Sequence, residues 1–194
     1  MPVAGIVLAA GAGTRFGGPK ALVRLDGERL VDRAVATLRR GGCAPVAVVQ
    51  GAADLDDVDA TVLDNRDWAT GMGSSLRVAL RYLAADAPAP EDDAPITAAV
   101  ILLVDTPWVG DEAVARLVAA SADGCAAAQA TYDGRPGHPV LLGRATWDDV
   151  AATAAGDRGA RAWLRTHREL VLDVPCDGTG DPRDVDVPAD LVGR

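Results

Sequence analysis

Short apolar runs alternate along this chain with stretches whose apolar residues recur at helical spacing. The first run, from Ala4 to Ala10, has no polar position, as expected of a strand buried on both faces of a parallel sheet. Ala21 to Leu25 reads as a short extended piece ending in an Asp26-Gly27 turn. Leu30, Ala34, Val35 and Leu38 share one face of a helix from Leu30 to Arg40, and Gly41-Gly42 supplies its stop. Val46 to Val49 predicts a second strand, the acidic stretch Asp54 to Asp59 a short solvated helix, and Thr61 to Leu63 a third strand. Leu76, Val78, Ala79, Leu80 and Leu83 predict a helix behind a glycine- and serine-rich approach, with Ser74 or Ser75 as N-cap or first-turn residues.

Asp86 to Pro95, crowded with prolines and acids, reads as an exposed loop and not as a domain linker. Ala98 to Val104 is the most apolar run and predicts the central strand. A helix from about Gly110 to Ala120, a strand from Cys125 to Thr131, a turn at Tyr132 to Arg135 and a strand through Val140-Leu141-Leu142 follow. Two helices, Thr146 to Ala154 and Gly156 to about His167, precede a last strand, Leu170 to Val174; Asp157 is placed to cap the second helix. In the extended segment that begins at Arg183, alternation puts Asp184 and Asp186 on one side, and Asp190 opens a final helix. The alternation of strands and helices predicts an α/β fold: a three-layer α/β/α sandwich around a mostly parallel sheet, in one domain over residues 1–194.

Composition narrows the function classes. The formal net charge is −9 and no basic patch stands out, which argues against nucleic acid as a partner. No apolar run approaches the ~20 residues that span a bilayer, so no membrane role is expected. Cys43, Cys125 and Cys176 are too far apart and too few for a disulfide framework or a zinc site; reduced thiols and a cytoplasmic location are expected.

The candidate chemistry begins where the first strand ends, in Leu8-Ala9-Ala10-Gly11-Ala12-Gly13-Thr14-Arg15-Phe16-Gly17-Gly18-Pro19-Lys20. Four glycines let backbone N–H groups turn towards one point, and with Arg15 and Lys20 they make an anion site suited to phosphates. The dinucleotide fingerprint fails because Phe16 stands where it needs glycine, and the P-loop fails because Pro19 stands where it needs lysine. Lys20 is the only lysine, against eighteen arginines, which marks its compact ammonium as a chosen feature. Asp105, immediately beyond the central strand, falls at the same sheet edge and could hold a metal across a crevice, or simply cap the next helix.

This loop resembles the signature of nucleotidyltransferases that join an NTP to a phosphorylated acceptor, and within them the molybdenum cofactor cytidylyltransferases. Asn65-Arg66-Asp67-Trp68-Ala69-Thr70-Gly71-Met72-Gly73-Ser74-Ser75-Leu76, Asp105-Thr106-Pro107, Gly137-His138-Pro139, Gly156-Asp157-Arg158-Gly159-Ala160-Arg161 and Asp184-Val185-Asp186 also resemble that group. Val104, Thr106 and Val187 depart from its usual pattern. The resemblance implies a Rossmann-like mixed sheet with one antiparallel strand. It implies that Leu8, Ala9, Ala10, Gly11, Gly13, Lys20, Gly71, Met72, Gly73 and Ser75 bind the nucleotide, and that Arg15, Lys20 and Asp105 are catalytic. It further implies that Asp105 with Asp186 or Asp184 holds Mg²⁺ and that His138 and Arg161 meet the acceptor; His138 could equally be a structural turn residue, and Trp68 is read as packing.

The implied reaction moves CMP from CTP to the terminal phosphate of the molybdopterin-bound molybdenum cofactor, with a recipient molybdoenzyme as a possible partner. Leu8-Ala9-Ala10-Gly11 and Gly71 to Leu76 favour CTP over GTP by the same resemblance. A sugar-, polyol- or phospholactate-type acceptor remains open, and so does a non-catalytic partner of a molybdoenzyme. No Ser-His-Asp set or Cys-His pair competes with phosphoryl-type transfer, where positioning and charge neutralisation carry catalysis.

Overall fold

The computed structural model describes residues 2–85 and 94–191. Nearly all of the acidic, proline-rich stretch expected as a loop, residues 86–93, lies outside the described residues. The chain runs through β1 (Val3–Leu8), the hairpin β2 (Arg24–Leu25) and β3 (Glu28–Arg29), α1 (Leu30–Arg40), β4 (Val46–Gln50), β5 (Thr61–Asp64) and α2 (Met72–Ala85). It continues through β6 (Ala98–Leu103), α3 (Asp111–Ala122), β7 (Ala127–Tyr132), β8 (Arg135–Gly143), α4 (Trp147–Thr153), α5 (Arg161–Thr166) and β9 (Val171–Pro175).

Seven strands form one sheet in the order β5-β4-β1-β6-β8-β7-β9. All neighbours pair in parallel except those of β8, which runs against both β6 and β7. The apolar run of β6 therefore lies at the centre, as its composition predicts, and the antiparallel strand is β8. Strand pleating splits the core in two. Val3 and Val7 of β1, with Val100 and Leu102 of β6, pack under α1 and α3. Ala4, Ile6 and Leu8, with Ala99 and Ile101, pack under α2, α4 and α5. This is the three-layer sandwich. Gly5 is needed within it, because a Cβ there would stand 3.0 Å from the Cys43 Cβ and 3.1 Å from Leu38.

Four local expectations change. Ala21 and Leu22, expected to be extended, belong to the 3-10 turn Lys20–Leu22, and only Arg24–Leu25 forms the strand β2. Residues 54–59 form turns and no helix: Leu55 and Val58 are buried, and the Gln50 side chain accepts the Leu55 N–H at 2.6 Å. The predicted helix from Gly156 to His167 is a 3-10 turn, Gly156–Arg158, then a break at Gly159 (φ 50°), then α5. Asp157 consequently caps nothing in α5, whose N-cap position is Ala160. His138 is no turn residue; it lies inside β8, which starts at Arg135 because Asp133 and Gly134, both at positive φ, close the hairpin earlier. The three cysteines are free, two of them buried. Among the described residues no helix is long and apolar enough to cross a membrane.

Candidate active site

Adjacent parallel strands β1 and β6 end level with each other, Leu8 opposite Leu103. Each strand end leads directly into one wall of a cleft of about 630 Å³, the glycine loop on one side and Asp105 on the other. The loop divides in two. The amides of Phe16, Gly17 and Gly18 all donate to the Gly13 carbonyl, at 2.9, 2.9 and 3.1 Å, so this half caps itself. Gly13 can take no side chain: its φ is +58° and a Cβ would fall 2.0 Å from the Gly18 carbonyl oxygen. Gly11 to Arg15 line the cleft, and among the described residues none of their amides donates to another protein group. The half of the loop that faces the cleft is thus its first half, not all four glycines. Pro19, at φ −57°, then feeds a 3-10 turn that begins with Lys20 and aims it back at the cleft.

Lys20 Nζ donates to Asp105 Oδ2 at 3.0 Å and to Asp186 Oδ1 at 3.1 Å, and the Arg15 guanidinium donates to Asp186 Oδ2 at 2.8 Å. Burial alone would lower the Lys20 pKa, but the hydrogen bonds and charges of Asp105 and Asp186 outweigh it and hold the ammonium above its ordinary value. The backbone brings the two carboxylates together: Val185 N–H donates to the Asp105 carbonyl at 2.8 Å. Val185 points into the core, which leaves Asp184 and Asp186 lining the cleft, as alternation predicts. Asp190 does not open a final helix; it lies within the 3-10 turn Pro188–Leu191, where its Oδ2 accepts the Asp186 and Val187 amides, both at 2.8 Å, and fixes the Asp186 segment.

Asp105 Oδ1 is buried without a hydrogen-bond partner. That oxygen is closed to the cleft, so the donors a small hard cation could reach are Asp105 Oδ2 and the neighbouring Asp186 carboxylate, a hard-oxygen pair suited to it. Among the described residues no group of three or more His, Cys, Asp or Glu could hold a metal unaided. Mg²⁺ does not need one, since it is usually held by one or two carboxylates completed by substrate phosphates and water.

The second glycine segment forms the adjoining wall. Asn65, 3% exposed, donates to Ser74 Oγ at 2.8 Å and Ser75 Oγ at 2.9 Å, while its own Oδ1 accepts the Asp67 amide at 3.0 Å. This buried network sets the first turn of α2, where Ser74 also donates to the Gly71 carbonyl. What approaches Gly71 and Gly73 so closely is the chain itself. A Cβ on Gly71 would lie 2.5 Å from the Gly156 carbonyl carbon, and one on Gly73 would lie 2.7 Å from the Ala155 nitrogen. Trp68 packs on Gly51 and also borders the cleft.

A second cavity, about 420 Å³, adjoins the first across a wall that includes Leu8, Met72, Leu103, Asp157 and Arg161. Its interior is mostly apolar, with Gln129 and His138 as polar insertions. His138 Nδ1 is buried and unpartnered. Burial lowers the His138 pKa; the Ile101 backbone and Asp105 act against this, and the Arg161 charge adds to it. Arg158 from the 3-10 turn and Arg161 and Arg165 from one side of α5 line this cavity and make no ion pair among the described residues.

Of the residues singled out from sequence, Leu8, Ala10, Gly11, Gly13, Arg15, Lys20, Gly71, Met72, Ser75, Asp105, Arg161 and Asp186 line the larger cleft. Ala9 and Gly73 do not line it: Ala9 faces the core beneath α1, and Gly73 is covered by Ala154 and Ala155. His138 belongs to the second cavity, with Arg161 common to both. Asp157 and Arg158, which the sequence marks only as a helix cap and as part of a motif, line the second cavity together with Arg165 and Gln129, which it does not mark; the i, i+4 spacing of Arg161 and Arg165 is the signal the sequence carries.

The family model described as MobA-like NTP transferase domain matches residues 5–171. Nicotine blue oxidoreductase of Paenarthrobacter nicotinovorans is 38% identical, over 95% of this chain and 92% of that protein. Molybdenum cofactor guanylyltransferase of Rhodobacter capsulatus is 31% identical, over 98% of this chain and 94% of that protein. The solved structure of Rv0371c from Mycobacterium tuberculosis matches with a TM-score of 0.76 and 26% identity, covering 98% of this chain and 95% of that one. The same protein has been solved as a manganese complex, which matches with a TM-score of 0.73 and 25% identity, covering 98% of this chain and 96% of that one.

Proposed function

From the premise that this chain belongs to the MobA-like NTP transferase family and is a nucleotidyltransferase, we propose that it transfers CMP from CTP to the terminal phosphate of the molybdopterin-bound molybdenum cofactor, using Mg²⁺ and releasing pyrophosphate. The reading treats residues 1–194 as one catalytic domain of a cytoplasmic enzyme. The observation that carries it is the Lys20–Asp105–Asp186 cluster at the mouth of a glycine loop whose first amides have no partner among the described residues.

The donor triphosphate lies along Gly11 to Arg15, with its base and sugar against the Gly71–Ser75 turn. The Ser75 hydroxyl accepts from Asn65 and retains its own hydrogen for the nucleotide. Asp105 and Asp186 would hold Mg²⁺, which supplies charge neutralisation at the phosphates. An oxygen of the acceptor phosphate attacks the α-phosphorus of CTP, the bond to the β-phosphate bridging oxygen breaks, and pyrophosphate leaves with its charge on Arg15 and Lys20. The acceptor phosphate is largely dianionic near neutrality, its second pKa being about 6, so no general base is needed. The acceptor body occupies the second cavity beside His138 and Arg161.

The base rests on Ala10 and on the Gly71–Leu76 segment. The Rhodobacter capsulatus relative is a guanylyltransferase, so binding of CTP, GTP, ATP and UTP is compared by calorimetry with and without Mg²⁺, and transfer is then assayed with the molybdopterin acceptor. Metal-dependent preference for CTP is expected. Preference for GTP would move the reading to guanylyl transfer. A second reading, an oxidoreductase, is favoured by one observation: the 38% identical relative is named nicotine blue oxidoreductase, and the second cavity is mostly apolar. Oxidation of a nicotinamide dinucleotide by a dye would support it; Phe16, where the dinucleotide fingerprint requires glycine, stands against it.

A further inference from the structure

Every accessible oxygen of the two proposed metal ligands is held by a cationic side chain. Asp105 Oδ1 is buried, so the open oxygen of that carboxylate is Oδ2, which receives Lys20 at 3.0 Å. Asp186 gives Oδ1 to Lys20 and Oδ2 to Arg15. A divalent ion shared by Asp105 Oδ2 and Asp186 Oδ1 cannot occupy the place where the ammonium stands, and like charge repels it strongly in a site this shielded. The Lys20 side chain is 14% exposed, and those of Asp105 and Asp186 are 24% and 36% exposed.

The carboxylates are fixed without the lysine. Asp105 follows the central strand, the Val185 amide donates to the Asp105 carbonyl, and Asp190 holds the Asp186 amide. Lysine is the movable part, a point charge on a flexible stem.

We propose that Lys20 is an exchangeable counter-ion. It joins Asp105 to Asp186 until the triphosphate of a nucleotide offers it other oxygens, and it then leaves the carboxylates to the metal. Nucleotide and metal therefore bind with positive coupling, each raising the affinity of the other by one factor. This rests on the reading of Asp105 and Asp186 as metal ligands, and it is independent of which base or acceptor the enzyme uses.

The test is titration of Mn²⁺, followed by its electron paramagnetic resonance, into wild type, Lys20→Met and Lys20→Arg, with and without tripolyphosphate as a base-free probe. Lys20→Met is expected to bind Mn²⁺ alone about tenfold more tightly than wild type, a usual size for such coupling, and Lys20→Arg to stay as weak as wild type. Tripolyphosphate is expected to tighten Mn²⁺ binding about tenfold or more in wild type and to lose most of that effect in Lys20→Met. Asp105→Asn in the Lys20→Met background should abolish the gain. Equal Mn²⁺ affinity of folded Lys20→Met and wild type would overturn the proposal. Should Lys20→Met not fold, independent binding of Mn²⁺ and tripolyphosphate by wild type would overturn it as well. CMP transfer with no tightening in Lys20→Met would keep the proposed function and remove the counter-ion role. Tightening with no transfer to any acceptor would do the reverse.

Discussion

Gly13 is the residue on which the shape of the glycine loop depends. Gly13→Ala would press a methyl group onto the Gly18 carbonyl at a positive φ. Strain of this kind costs about 1–3 kcal/mol, so a melting curve should show a lower midpoint and a nucleotide titration should show lost affinity. Asn65 acts through its neighbours: Asn65→Ala leaves the buried Ser74 and Ser75 hydroxyls without their donor. A loss of about 1–3 kcal/mol, read from urea unfolding, should come with weaker nucleotide binding. His138 sets a pH dependence. Its folded pKa lies below the ordinary 6.5, mainly through burial, so the unfolded chain takes up the proton first. Stability is then full above that value and falls as pH drops through it towards the folded pKa. Unfolding midpoints between pH 7.5 and 5.5 should fall less steeply for His138→Gln than for wild type; equal slopes would exclude the imidazole as the cause.

Among the elements, legibility follows how local the determining contacts are. α1 begins and ends where its apolar spacing and Gly41 predict, and β1 and β6 were readable because their positions are apolar on both faces. The 54–59 stretch misled because its acids looked solvated, while Leu55 and Val58 are anchored by residues far away in sequence. The break at Gly159 was hidden for the same reason: the Met72 sulfur would lie 3.0 Å from a Cβ there. Of the site, the loop, Asp105 and the Asp184/Asp186 side were visible as motifs. The second cavity was not, since its walls come from β1, β6, β8, α2 and α5 at once. The contact between α2 and the segment after α4 gives a test at this scale. Gly73→Val would drive a side chain into Ala154 and Ala155, and overpacking of this kind costs about 1–3 kcal/mol. Both nucleotide affinity and the shape of the second cavity should suffer together, whereas a substitution confined to Arg165 should affect acceptor use alone.

At the scale of the molecule, metal and nucleotide should act on stability as one ligand. At a hundred times its dissociation constant a ligand adds about 2.7 kcal/mol, so nucleotide with Mg²⁺ should raise the melting midpoint, and a chelator should remove most of that rise. A midpoint indifferent to chelation would count against Asp105 and Asp186 as metal ligands. The reversed strand β8 has a broader consequence. Because it runs antiparallel to β6, its first half lies at the sheet edge where β6 ends, and Pro136, Gly137 and His138, just past the Asp133-Gly134 link, line the second cavity and not the cleft beside the glycine loop. Lengthening or replacing that hairpin would reshape one compartment and leave the other's framework intact. The fold therefore lets its two compartments drift apart in sequence over evolutionary time, a physical route from one ancestral scaffold to relatives with names as different as guanylyltransferase and oxidoreductase.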